Sequence, residues 1–289
     1  MTTNLAGKRV VVTGGGRGLG RTIASAFVGA GADVLISART RDELETTGRS
    51  LRVAAGPKQV VEWRVIDLEK REAPQDLLSG KWAAPDILIN NAGIQGPIGP
   101  LWENSEAGWQ STFQIGLFAP VALMRSVIPA MIERGWGRII NISGGGSTGP
   151  RPAFSAYAAA KTALVRITET LAVELKGTGV TANAIAPGAM NTKMLQGIRE
   201  LGSSVAGKKE VEAAERLLDA NEPPGEQAAR LCLYLSSEAS NEVSGRLIAA
   251  LWDPWQRFEA LAAEMAGTDV FTLRRIVPKD RGLEWDDEK

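Results

Sequence analysis

Tyr157 and Lys161 stand four residues apart in the segment YAAAK, at the head of a run in which apolar and small residues recur at three- and four-residue spacing. On a helix that spacing brings both side chains to one face. An ammonium beside a phenol favours the phenolate, so such a pair can trade a proton with a substrate oxygen below the ordinary phenol pKa of about 10. Histidine is absent from all 289 residues, which removes histidine triads, histidine zinc sites and the commonest general base. Proton transfer falls to Tyr, Lys, Asp, Glu or Cys. The bland alternative is that residues 157 and 161 decorate a helix surface, although Tyr234 is the only other tyrosine.

A second constellation is GGGRGLGRT, residues 14–22, directly after the apolar run KRVVVT. Glycines between a strand and a helix leave backbone N–H groups free of side-chain bulk at a positive helix end, and phosphate is the natural ligand. Gly14, Gly18 and Gly20 do not fit the string G-x-G-x-x-G. From Gly15 the run nearly fits a P-loop, with Arg21 in the lysine's place. A rigid planar guanidinium is a poor substitute for that compact charge. A plain glycine-rich turn is the third reading.

Seven strand-like runs must position these residues: 8–13, 33–37, 59–66, 86–90, 137–143, 180–186 and 245–251. They alternate with longer helix-like segments, which is the pattern of an α/β fold, a doubly wound seven-stranded parallel sheet. We expect a single dinucleotide-binding catalytic domain over residues 1–252, with a substrate lid at about 189–222 and a C-terminal helical extension over 253–289. The segment NEPPGEQ (221–227) reads as the start of a helix and not as a domain linker.

Composition narrows the partners. Acidic and basic residues balance at 33 each, so no overall field recruits nucleic acid or an anionic membrane. No apolar run approaches the ~18 residues of a membrane span, and the start MTTNLAGKRVVVTG passes straight into a strand pattern. A cytoplasmic protein is expected. The single cysteine, Cys232, lies in the apolar run AARLCLYL and reads as core. Asn141 heads the string NIS but reads as a strand end, not a glycosylation site.

Four signatures occur in order on these elements: Thr13-Gly14-x-x-x-Gly18-x-Gly20, NNAG (90–93), YAAAK (157–161) and APG (186–188) followed by Thr192. Together they resemble the short-chain dehydrogenase/reductase family over about residues 5 to 250. The resemblance implies a Rossmann-type fold and hydride transfer between a nicotinamide cofactor and a carbonyl or secondary alcohol, with Tyr157 as acid/base, Lys161 as its partner and cofactor anchor, and both residues in contact with the cofactor. It also implies that Thr13, Gly14, Arg17, Gly18, Leu19 and Gly20 form the cofactor loop, and that Asp67 and Leu68 border the adenine. Asn91, Ala92 and Gly93 would run beside the adenine ribose, and Pro187, Gly188 and Thr192 would hold the nicotinamide amide. Asp67 could instead be an ordinary helix cap, and Thr192 a surface hydroxyl.

In dinucleotide folds an acidic residue ending the second strand holds the ribose 2′-hydroxyl, whereas an arginine accommodates a 2′-phosphate. Ala38 stands at the acidic position, Arg39 follows it, and Arg17 precedes Gly18. NADP(H) is therefore the expected cofactor. Two positions depart from the family pattern. Gly116 replaces its catalytic asparagine, inside FQIGLFAPVALM, where a helix-interior glycine costs roughly 1 kcal/mol against alanine. Gly144 replaces its catalytic serine, with Ser143 and Ser147 nearby. Strand alternation turns Ser143 away from the face of position 144, so Ser147, in a flexible glycine-rich loop, is the preferred carbonyl donor; a backbone N–H is the alternative.

Beyond the last strand, DPW reads as an Asp cap followed by proline at the first helical position, and Trp255, Phe258, Leu261 and Met265 form an apolar stripe ending at Gly267. That helix should pack on its own sheet or a neighbouring subunit; the sharper alternative lays it over the substrate mouth. The leading function is an NADP(H)-dependent oxidoreductase acting on a small carbonyl or alcohol. The alternative is a catalytically degenerate NADP(H)-binding sensor or scaffold. A homodimer or homotetramer is expected, because the helical stretches at 105–134 and 154–177 carry more apolar and small residues than one sheet face needs.

Overall fold

The computed structural model describes residues 3–191, 193–219 and 225–284. Seven strands, β1 (Arg9–Thr13), β2 (Asp33–Ala38), β3 (Val61–Val65), β4 (Ile87–Asn90), β5 (Gly137–Ile142), β6 (Val180–Ala186) and β7 (Leu247–Ala249), form one sheet in the order β3-β2-β1-β4-β5-β6-β7. Every pairing is parallel. Both faces of such a sheet are covered, which is why Val10, Val11 and Val12 are successive apolar residues with no exposed surface.

The helices divide between the two faces. α1 (Gly18–Gly29), α2 (Arg41–Ala54) and α10 (Glu226–Leu235) pack with Val10, Val12 and Ile36 on one side. α5 (Ala119–Glu133) and α6 (Ser155–Glu174) pack with Val11, Leu88 and Ile139 on the other. The remaining helices are α3 (Ala73–Leu77), α4 (Glu106–Phe113), α7 (Lys193–Leu201), α8 (Ser203–Ala206), α9 (Lys208–Asp219) and α11 (Phe258–Met265). Strand order reverses between β1 and β4, and that switch point opens a crevice at the strands' carboxyl ends.

Helix α4 passes into α5 through a π-helical turn, Gln114–Phe118, with Gly116 buried at its centre. A β-carbon on Gly116 would meet the Ala160 β-carbon of α6 at 3.5 Å, an ordinary contact, so packing here does not by itself demand glycine. Pro120 follows where the hydrogen-bond register is already broken and its missing N–H costs least. The combined run Glu106–Glu133 has a mean hydropathy of 1.8 over its most apolar 18 residues, which the sequence expectation of no membrane-like run missed. Half of that window is buried in the protein, the face turned toward the sheet and α6.

Two expectations are corrected locally. β7 is limited to Leu247–Ala249, because Gly245 takes a positive φ of 75° before it and the Asp253 carboxylate accepts the Ala249 N–H after it. Asp253 therefore closes the end of β7 and caps no helix: a 3₁₀ turn over Trp255–Arg257 precedes α11. The apolar stripe packs on the chain's own core. Trp255 lies 5.9 Å from Tyr234 and Phe258 lies 5.2 Å from Phe271, ring centre to ring centre.

Candidate active site

The crevice is a cavity of about 1270 Å³ lined from the glycine loop at one end to α7 and Glu210 of α9 at the other. Its floor is rigid. The Asn90 side-chain amide donates to Asn141 (2.8 Å), and Asn141 donates to the Thr168 hydroxyl (2.8 Å), a buried polar chain joining β4, β5 and α6.

The glycine loop fits a dinucleotide on steric grounds. A β-carbon on Gly20 would fall 2.2 Å from the Gly14 carbonyl oxygen, and one on Gly14, which has φ 67°, would fall 2.9 Å from Asn91 Nδ2. Only glycine leaves the loop this closely folded with backbone facing the cavity. Gly14, Arg17, Gly18, Leu19, Gly20, Arg39, Asp67, Leu68, Asn91, Ala92, Gly93, Pro187 and Gly188 all line it. Thr192 lies outside the described residues, as do positions 221–224 of NEPPGEQ; Gly225, at φ 81°, immediately precedes α10.

Thr13, also expected at the cofactor, is buried and does not line the cavity; it builds the loop instead. Thr13 Oγ1 accepts the N–H groups of Asn91 (3.0 Å) and Ala92 (3.1 Å), and Asn91 Nδ2 donates to the Thr13 carbonyl (2.9 Å). Asp67 accepts the Glu69 N–H in a short side-chain turn. Arg39 is exposed, whereas Arg17 is engaged: its Nη1 donates to both carboxylate oxygens of Glu43 at 2.9 Å.

Tyr157 and Lys161 share the first turns of α6 and both line the cavity, buried. Lys161 Nζ donates to the Ile142 carbonyl (2.7 Å) and sits 5.9 Å from the centre of the Tyr157 ring. Burial pushes the Lys161 ammonium down to about 8. Burial also raises Tyr157, and the cation that opposes this is Arg151, so the phenol stands protonated and its expected lowering by Lys161 is not what the surroundings produce.

The lysine gives a pH signature. An unfolded lysine titrates near 10.5 and the folded one at about 8, so between those values the unfolded chain binds more protons and stability rises with pH. We expect the thermal midpoint of the parent to gain on that of Lys161→Met from about pH 8 to about pH 10. Parallel curves would show that the lysine is not held in this buried state.

The two glycine departures have geometric consequences. A β-carbon on Gly144 would lie 2.2 Å from the Tyr157 hydroxyl, so the tyrosine occupies the room a serine side chain would need. Ser147 donates to the Gly144 carbonyl (2.9 Å), closing its own loop. Ser143 Oγ is buried without a hydrogen-bond partner among the described residues; its N–H still pairs with the Ile185 carbonyl of β6, yet Ser143 lines the cavity together with Gly144 and Ser147, so the expectation that it turns away from the site is corrected. Ser147 remains in the site, with its hydroxyl already used.

Sequence reasoning missed the charged rim. Arg151 forms a two-pronged ion pair with Glu210 of α9 (3.1 and 2.7 Å) and lies over the Phe154 ring at 3.8 Å. Lys193 of α7 reaches Glu43 (2.6 Å). These partners lie 59 and 150 residues apart, beyond any local pattern.

A glycine cradle at the switch point of a doubly wound sheet, facing a buried Tyr/Lys pair, defines a dinucleotide-dependent oxidoreductase. The family model described as short chain dehydrogenase matches residues 8–201, and the chain belongs to that family as an NAD(P)-dependent oxidoreductase. A short chain dehydrogenase of Pseudocercospora fijiensis is 35% identical over 195 residues, 66% of this chain and 62% of the relative's length. The D-beta-hydroxybutyrate dehydrogenase of Cupriavidus necator is 30% identical over 262 residues, 86% of this chain and 96% of that one. Among solved structures, one from Beutenbergia cavernae, provisionally named an NAD(P)-dependent gluconate 5-dehydrogenase and holding NADP at low occupancy, is 32% identical. It superposes with a TM-score of 0.75 over 86% of this chain and 97% of its own.

Proposed function

We propose that this chain moves hydride between NADP(H) and the carbonyl or secondary-alcohol carbon of a small molecule, with Tyr157 as the acid/base. The observation that carries the reading is the placement of a buried, protonated phenol and a buried ammonium in the same cavity as the glycine cradle. When bound, the nicotinamide supplies or accepts the hydride. In reduction, Tyr157 gives its proton to the substrate oxygen, and the nearby ammonium steadies the phenolate left behind. Lys161 spends one N–H on Ile142 and keeps two for the cofactor. Ser143, unpartnered among the described residues, is the better carbonyl donor, and Ser147 the lesser one. Gly116 leaves room beside α6 without restoring the missing amide.

Arg17 and Arg39 at the β2 end, with Ala38 where a carboxylate would otherwise stand, support NADP(H) over NAD(H). A panel of ketones, aldehydes, sugars and secondary alcohols, followed by nicotinamide absorbance, tests the activity. No turnover across the panel alongside tight nucleotide binding would instead favour the sensor reading that Gly116 and Gly144 motivate. A homodimer or homotetramer in the cytoplasm completes the proposal. Phe118, Ile132 and Val173, exposed on the π-turn, α5 and α6, support pairing of these helices between subunits, and a monomeric mass by light scattering at micromolar concentration would reject it.

A further inference from the structure

The nucleotide end of the cavity holds a charge arrangement that neither arginine alone explains. Glu43 stands in the first turn of α2; both of its carboxylate oxygens share the one donor Arg17 Nη1, and Oε1 also accepts from Lys193. Burial would raise this carboxyl, but hydrogen bonds from Lys193 and Arg17 hold it below the ordinary value, so it is ionised wherever the protein works. The loop bearing Arg17 is fixed against α2: Thr47 donates to the Gly16 carbonyl (2.7 Å), and a β-carbon on Gly16 would lie 3.3 Å from Leu44 N. Arg17 and Glu43 are therefore held as neighbours, at the place where the second strand's end meets a ribose 2′-substituent.

We propose that Glu43 sets how strongly this chain discriminates a 2′-phosphate from a 2′-hydroxyl. This rests on the NADP(H) reading above. A carboxylate on Arg17 Nη1 already occupies a donor that a phosphate would use, and it repels the phosphate's own negative charge. A 2′-phosphate must draw Arg17 away from Glu43, while a 2′-hydroxyl has no such demand. Arg39, exposed and held by no hydrogen bond or ion pair among the described residues, then makes the first contact, and Arg17 follows. The same carboxylate ties the lid to the glycine loop through Lys193, so the lid's first helix stays anchored to Glu43 when Arg17 leaves.

The test uses nucleotide fragments, which need no nicotinamide end and no turnover. Dissociation constants for 2′,5′-ADP and 5′-AMP are measured by calorimetry on the parent, Glu43→Gln, Arg17→Ala, Arg39→Ala and the Glu43→Gln/Arg17→Ala double variant. Glu43→Gln is expected to tighten 2′,5′-ADP about tenfold, a change of ~1.4 kcal/mol, and to leave 5′-AMP within about twofold. The gain should shrink at high salt and vanish in the double variant, since it acts through Arg17. An unchanged or weakened 2′,5′-ADP affinity in Glu43→Gln, with an unchanged melting temperature, overturns the inference. A parent that binds 5′-AMP as tightly as 2′,5′-ADP, with Arg39→Ala no different, overturns the NADP(H) reading by itself. If Glu43→Gln then still opens a gap in favour of 2′,5′-ADP, the role of Glu43 stands; if it opens none, that falls as well.

Discussion

Tyr157→Phe will lower kcat by about 10²–10⁴-fold on any substrate the panel identifies, the range of a lost general acid, while nucleotide affinity and melting temperature stay near the parent's. The phenol is buried, so phenylalanine fills the same space and no core packing is lost. Its hydroxyl makes no hydrogen bond within the described residues, so removing it leaves no protein group newly unpaired. The expected loss is therefore chemical and not structural. Because burial holds the phenol protonated, the parent should be the better catalyst in the direction that consumes a proton, carbonyl reduction, at neutral pH. Undiminished turnover in Tyr157→Phe would move the acid/base role elsewhere, with Lys161, lowered to about 8, as the next group in the cavity able to exchange a proton.

The second large effect lies in the C-terminal extension. Phe258→Ala is expected to destabilise the protein by ~3–5 kcal/mol, the range for removing a buried aromatic ring, since Phe258 is fully buried in the core shared with β1 and α1. Truncation after Leu251 removes Trp255 and Met265 from that core too, so it should yield aggregated or poorly folded protein, not a folded enzyme with a widened pocket. Denaturant unfolding with a fluorescence readout measures the first effect, and soluble yield the second. Among the described residues of the extension, only Asp253 lines the cavity, beside Trp252 just before it. A truncated protein that unfolds at the parent's midpoint would show that these aromatic contacts contribute little.

The parts of the molecule legible in the sequence were those where a single local requirement repeats. The centres of strands such as Val10–Val12 and Ile87–Ile89 are buried on both faces, so each reads as an apolar run, with polar residues only at the strand ends. The glycine cradle was legible because only glycine fits where Gly20 meets the Gly14 carbonyl. What stayed hidden depends on residues far apart in the chain. No pattern around Arg151 announces Glu210, and none around Glu43 announces Lys193. The contact between the Tyr157 hydroxyl and position 144 was hidden for a related reason: an absent side chain does not say which neighbour takes its room. The Asp-Pro-Trp run misled because a helix-start signature also suits a strand's end, and Asp253 uses its carboxylate for the latter.

The π-helical turn at Gln114–Phe118 bears on how this chain tolerates changes of length. A hydrogen bond spanning five residues instead of four takes up one residue more than the flanking helix requires. Elsewhere in α5, losing one residue would rotate everything downstream by about 100°, swinging Leu123, Val127 and Met131 out of the core. Losing one within 114–118 would let the turn tighten to ordinary helix and leave those side chains in phase. The segment opposite Ala160 is thus the one place along α4 and α5 where an ancestor or descendant of this chain could gain or drop a residue and keep its core.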